Sequence, residues 1–459
     1  MPGKTVAWHI RAWFTNITFV CRIPHTPLQE LFNGKTLRNS KNAGRIRAKS
    51  GLFVLKKKVK SLLNLAKLNI FAGILSISYK KIKTNPNYQL TDMKQERIYF
   101  LDYLRVIACF MVMIVHSSEN FYLCPASDAP SGEMVNVVSK ITSTDNLFWV
   151  SLLDGFCRIS VPLFMITSAY LLCPLKPEQT WTSFFKRRAL RIVPPMIVFL
   201  VLYSALPLLW GGTTIEQAID NILYIPLNFP GAAGHMWFLY PLLSLYVLIP
   251  MLSPWLVKAS ARQELLIIGL FALSTTVPFF NYFGLEVFGQ VFWNPYHILY
   301  PFSGYIGYLV LAHYIRFHIK WSNARRMAVG IPALAVGAAF TILSFYNQVE
   351  LGVEQHPNVV EIAWVFCSPN VLLATFGFFL IISTINRPMR GYKFIEDISK
   401  KSYGMYLMHM FYLVMYAGLI IPHLHVSLAI PAIAVCTFVS CYITTKIISY
   451  IPGSKWVIG

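Results

Sequence analysis

Ten apolar runs, each close to twenty residues long, dominate this sequence and leave it few ways to fold. They fall at about 99–118, 147–173, 190–210, 236–256, 264–283, 297–315, 327–346, 362–385, 402–421 and 427–450. A helix needs roughly 20 residues to cross about 30 Å of hydrocarbon, and inside a bilayer the backbone must satisfy its own hydrogen bonds. The spacing therefore predicts an all-α fold, a polytopic membrane helix bundle of about ten transmembrane helices. Composition agrees: 56% of the residues are hydrophobic and 13% charged, against roughly 25% charged in soluble domains. No repeat with a period of roughly 20–50 residues is present, so solenoids and propellers are excluded.

Loop charges orient the bundle. If the first run starts in the cytoplasm, twenty lysines and arginines fall on the inner side and one, Lys140, on the outer. The positive-inside rule then places both termini in the cytoplasm of a multi-pass protein. A missed or invented span would scramble this alternation. The net charge of +21 does not point to nucleic acid, because residues 1–92 hold 17 Lys and Arg against only Glu30 and Asp92. That segment lacks the basic and aromatic interleaving of a folded nucleic-acid surface. Residues 1–92 are expected to be a disordered basic extension, with 93–459 forming the integral-membrane domain. Within the extension, "LNIFAGILSISY" (68–79) is too short to span and is flanked by lysines, so it can lie along an anionic membrane surface. The other reading open is that Met93 is the natural start and the rest an upstream extension of the reading frame. The eight cysteines fall mostly inside apolar runs, where Cys behaves as a small hydrophobe. No CxxC or Cys/His spacing indicates a metal.

The first run, "YFLDYLRVIACFMVMIVHSS", carries an acid, a guanidinium and an imidazole, and Glu119 follows it as a loop acid. Arg105 and His116 are eleven residues apart, three helical turns, which sets them on one face about 16 Å apart along the axis. Asp102 lies one turn before Arg105 on nearly the same side. Ionisable groups in hydrocarbon are costly, so this stripe should point into the bundle. Elsewhere Asp154 and Arg158 at i, i+4 form either a buried ion pair or a contact to an anionic substrate group. Ser402, Tyr406 and His409 share one stripe late in the chain. Trp237 can belong to an interfacial aromatic belt or to a sugar-stacking platform. Glu361 is a possible accessory acid at an outer helix lip.

Arg-x10-His in a first span, preceded by Leu-Asp-x-Leu, resembles acyltransferase family 3, integral-membrane enzymes of bacteria that mostly O-acylate surface glycans. Four further stretches agree in order: "RISVPLFMITSAYLL" (158–172), "FFKRRALRIVPP" (184–195), "HMWFLYPLLSLYVLIP" (235–250) and "KSYGMYLMH" (401–409). The resemblance runs from Met93 to about residue 450. The chain departs from the pattern at Ser168-Ala169-Tyr170, where relatives usually read Ser-Gly-Tyr, which puts in doubt any role that needs glycine there. The form from Arg158 to Phe164 looks most like the branch that contains the enterobacterial common antigen O-acetyltransferase.

The resemblance implies transfer of an acetyl or other short acyl group from acyl-CoA to a hydroxyl of a surface or lipid-linked glycan, in a bacterial inner membrane. Such a reaction needs a base, oxyanion stabilisation and clamps for both substrates. His116 is the expected base or, equally, a transient acyl carrier. Arg105 would meet the anionic donor or the oxyanion, with Asp102 orienting it. Arg187, Arg188 and Arg191 would take the phosphates of coenzyme A, or serve topology alone. His409 is the second histidine of the set. No bound cofactor is expected beyond the acyl donor. The alternative is a transporter or flippase of a glycan precursor, which also buries charge along its path, but no matching halves are visible. A polytopic glycosyltransferase would want clustered external acids, and Asp128, Glu133 and Asp145 are scattered.

Overall fold

The computed structural model describes residues 97–125, 136–283 and 293–459; the reading of residues 1–92 as a disordered extension lies outside them. In chain order the helices are α1 (Tyr99–Glu119), α2 (Thr144–Cys157), α3 (Ser160–Leu172), α4 (Trp181–Ala205), α5 (Ile215–Tyr224), α6 (Leu239–Leu256), α7 (Ala261–Tyr282) and α8 (Ile306–Phe317). They continue with α9 (Asn323–Gln348), the single turn α10 (Pro357–Val360), α11 (Pro369–Ile382), α12 (Tyr392–Ile420), α13 (Val426–Ile448) and the terminal turn α14 (Lys455–Ile458). The only strands among the described residues, β1 (Leu123–Pro125) and β2 (Asn136–Val138), pair antiparallel beside the end of α1. Val138 also exchanges backbone hydrogen bonds with Gln355, which fastens the segment before α10 to this hairpin.

Among the described residues, nine helical stretches are long and apolar enough to cross a membrane, with α2 and α3 counting as one. The remaining apolar run, 297–315, holds the shorter α8, twelve residues long. Pro301 removes a backbone donor, and the stretch before α8 is a 3-10 turn, Tyr300–Phe302, followed by Ser303 and Gly304. The chain there cannot continue the helix.

Helix α1 is apolar on nearly every side, and a helix of that kind is one that others surround. Accordingly it packs against α2, α3, α11, α12 and α13, and its residues from Phe100 to Val115 are mostly buried. The break between α2 and α3 follows from Pro162. That ring has no N–H for the carbonyl four residues back, Arg158, and crowds it. The helix parts at Arg158 and Ile159 while both keep helical dihedrals. A second pairing, α9 on α11, depends on glycine. A Cβ on Gly337 or Gly377 would strike the backbone of the facing helix, at Asn370 and Ala374 or at Leu334 and Gly330. Small residues of this kind let membrane helices approach closely. Large apolar side chains such as Val414, Leu419, Val435 and Ile443 stay exposed on α12 and α13, as a lipid-facing surface requires.

Candidate active site

The two ends of α1 carry the same pairing of acid and base three residues apart, and the fold uses them differently. At the C-terminal end His116 Nδ1 lies 2.7 Å from Glu119 Oε2. A carboxylate can only accept, so Nδ1 carries a proton, and in the neutral ring Nε2 keeps its lone pair. His116 lines a small cavity together with Glu119, Arg158, Phe164, His235, Trp237, Phe366 and Tyr406. The break at Arg158 and the 3-10 segment Gly231–Phe238 bring these side chains to one place.

Behind His116 stands a second imidazole. The rings of His116 and His409 are 5.2 Å apart, and His409 to His235 is also 5.2 Å. His409 is fully buried, with Nδ1 2.5 Å from the Tyr406 carbonyl. Tyr406 donates its hydroxyl to the His235 carbonyl at 2.6 Å, which fixes the 3-10 segment against α12. Trp237 is stacked on Phe366, centroids 5.4 Å apart, so it forms cavity wall. Ser402 is spent on its own helix, donating to the Ser399 carbonyl at 2.9 Å.

The Arg158 guanidinium is held on three sides. Its Nε lies 2.6 Å from Asp154 Oδ1, its Nη2 donates to the Tyr122 hydroxyl at 2.9 Å, and its plane sits 4.3 Å over the Trp364 ring. Tyr122 in turn hydrogen-bonds the Glu361 carboxylate. Burial pushes the Tyr122 hydroxyl well above the ordinary phenol range, so it stays a protonated donor. Burial likewise raises the Glu361 carboxyl; the Glu119 carboxylate adds to this, while Arg158 and Tyr122 oppose it. Asp154 and Arg158 are thus an ion pair, and the same guanidinium also borders the cavity.

At the N-terminal end of α1 the acid serves packing. Asp102 accepts from the Ser399 hydroxyl at 2.7 Å and the Tyr392 hydroxyl at 2.5 Å, both on α12. Arg105 Nη1 is 3.7 Å from Asp102 Oδ1, with the side chain 30% exposed. Arg188, Arg191 and the Tyr246 hydroxyl lie within electrostatic reach of Arg105. Arg187 turns back onto its own helix, its Nε donating to the Ser183 carbonyl at 3.2 Å.

The structure therefore gathers His116, Arg158, Trp237 and Tyr406 around one cavity, with His409 and Glu361 against its wall. It gathers Arg105, Arg188 and Arg191 at the other end of α1. Glu119, His235, Tyr122 and Phe366 join the site without having been singled out in the sequence. Glu119 did carry a signal, its i+3 spacing from His116, but it falls where the span ends and counts there as a loop acid. His235 sits in a 3-10 segment with no helical stripe to mark it.

The family model described as an acyltransferase domain matches residues 98–446. No curated protein and no solved structure gives a significant match.

Proposed function

Since the chain belongs to the acyltransferase domain family and, among its described residues, has nine helical stretches long and apolar enough to cross a membrane, we propose that it moves an acetyl or other short acyl group from acyl-CoA to a hydroxyl of a surface or lipid-linked glycan. The observation that carries this reading is the Glu119–His116 pair opening on a cavity, on a helix whose other end presents Arg105 beside Arg188 and Arg191.

In this reading His116 Nε2 takes the proton of the acceptor hydroxyl, and the oxygen attacks the thioester carbonyl. The carbon–sulfur bond breaks and the coenzyme A thiolate leaves, regaining a proton from the imidazolium. Glu119 holds the imidazole in the needed tautomer and stabilises its charged form, as an acid behind a histidine base does. Arg158, fixed by Asp154 and Tyr122, supplies a positive charge at the cavity wall without reorganising. Trp237 and Phe366 offer aromatic faces to a sugar ring. Arg105, Arg188 and Arg191 match the coenzyme A phosphates. Placing that end at the cytoplasm of a bacterial inner membrane puts the donor inside and the acceptor near the outer leaflet. The roughly 16 Å between Arg105 and His116 is then spanned by the flexible arm of the donor.

Membranes carrying the protein should transfer label from radiolabelled acetyl-CoA to a glycan, and His116→Ala should lose about 10²–10⁴-fold of that activity, the usual worth of a positioned base. Near-normal transfer by correctly inserted His116→Ala protein would overturn the assignment.

A further inference from the structure

Away from the His116 cavity, a buried carboxylate meets two imidazoles where α7 begins and α8 ends. Glu264 lies in the first turn of α7, His313 in α8, and His318 just past its end. Glu264 is fully buried and His313 is 2% exposed. Glu264 Oε1 is 3.0 Å from His313 Nδ1 and 2.9 Å from His318 Nε2. The three donor atoms all lie within 4.8 Å of one another. The second carboxylate oxygen, Oε2, is buried with no hydrogen-bond partner, and so is His313 Nε2.

Charge makes this cluster unusual. Among the described residues, Glu264 is paired with no lysine or arginine, only with the two histidines. A carboxylate taken out of water costs several kcal/mol unless a positive charge answers it. A cation held between the three side chains would answer that charge, and the unpartnered Oε2 leaves the carboxylate room to meet it. We propose that Glu264, His313 and His318 bind a divalent transition cation, zinc first among them. One carboxylate and two imidazoles are a donor set that zinc takes up, with a further position open. Tetrahedral zinc with ligands at about 2.0–2.1 Å holds its donor atoms about 3.3 Å apart. The observed 3.0 and 2.9 Å from Oε1 are within a few tenths of an ångström of this, and the two imidazole nitrogens, within 4.8 Å of each other, would close onto the ion.

The donors sit on or beside packed helices. A Cβ on Gly307 would run into the Phe271 ring, so α8 lies tight on α7 below the cluster. His313 and His318 are five residues apart, which does not suit one helical face. They converge because α8 ends at Phe317, and the capping residue His318 has φ −109°. Glu264 is 49 residues from His313 in the chain, so no local motif announces the site. The cation would clamp α7 to α8 and takes no part in acyl transfer.

The test uses the full chain without a histidine tag, purified in detergent, stripped with chelator, dialysed, and titrated with Zn²⁺ or Co²⁺ alone. The site should take up about one equivalent per chain, with visible ligand-field absorption for Co²⁺, as a prearranged N/O site does. Losing a group that only orients a ligand costs about 10–100-fold in metal affinity, so Glu264→Gln and His318→Gln should each cost at least that. The side chain of His318 is 25% exposed, so this variant decides the matter if Glu264→Gln does not fold. Failure of the wild type to bind, or uptake unchanged in a folded variant, would overturn the proposal and leave a hydrogen-bonded ion cluster. Neither result bears on the acyltransferase reading, since the readout is metal content.

Discussion

The two ends of α1 invite comparison because they look alike on paper. Asp102 and Arg105 are three residues apart, and so are His116 and Glu119. At the His116 end the acid is given to the base at 2.7 Å. At the Arg105 end the acid is given to two hydroxyls of α12, and its guanidinium neighbour stands 3.7 Å off. The first arrangement sets a tautomer; the second fastens a helix and leaves Arg105 able to face an anion alongside Arg188 and Arg191. Equal spacing on a helix brings side chains within reach, but the helices packed against each end decide what the acid does.

The largest contrast should come from removing the two acids in turn. Asp102→Ala takes the shared acceptor from the Tyr392 and Ser399 hydroxyls, both buried, at a cost of about 1–3 kcal/mol for each. Thermal unfolding of the detergent-purified protein should register this loss, with transfer per folded molecule changed little. Glu119→Gln should do the reverse: stability nearly unchanged, and kcat lowered by up to about 10⁴-fold because the imidazole loses its anionic partner. If Asp102→Ala left stability intact and struck the apparent affinity for acyl-CoA instead, the two ends would be alike after all.

A smaller effect should separate the arginines. Replacing Arg188 and Arg191 together by alanine removes two charges that can meet phosphate, each charge-assisted contact being worth about 1.5–3 kcal/mol at most. The half-saturating acyl-CoA concentration should rise about tenfold or more, with kcat changing far less. Arg187→Ala should do almost nothing, since that side chain is exposed and bonded to its own helix. An unchanged donor requirement in the double variant would leave this cluster to membrane topology.

Much of this was legible in the sequence, and the physics says why. An apolar run of twenty residues has one stable outcome in lipid, so the bundle and its helix order follow from hydropathy. The shortness of α8 was also written there, in Pro301 and Gly304, but hydropathy ignores backbone breakers. His116 and Arg105 stood out because a charge in a span needs a reason. Tyr122 did not, because a loop tyrosine is ordinary until Arg158 and Glu361 are seen on either side of it. Trp237 reads first as aromatic belt and second as platform; only the position of Phe366, contributed by a segment far along the chain, puts it in the cavity wall. Glu264 with His313 was beyond reach for the same reason: helix packing, not sequence spacing, joins them.

The smallest expected effect tests whether the buried charges near His116 are structural or reactive. The Glu361 carboxyl is held above its ordinary value by burial and by Glu119, with Arg158 and the Tyr122 hydrogen bond opposing. Between the ordinary glutamate value, about 4.3, and that raised value, the folded protein binds more protons than the unfolded chain. Stability should therefore fall as pH rises through this window and level off above it. Glu361→Gln keeps a neutral acceptor for Tyr122 and cannot ionise. It should match the wild type at the acid end of the window and gain on it as pH rises, read as the difference in melting temperature across a pH series. A difference that stays flat would mean Glu361 ionises freely, and its charge would then count with that of Glu119 as part of the reacting end of α1.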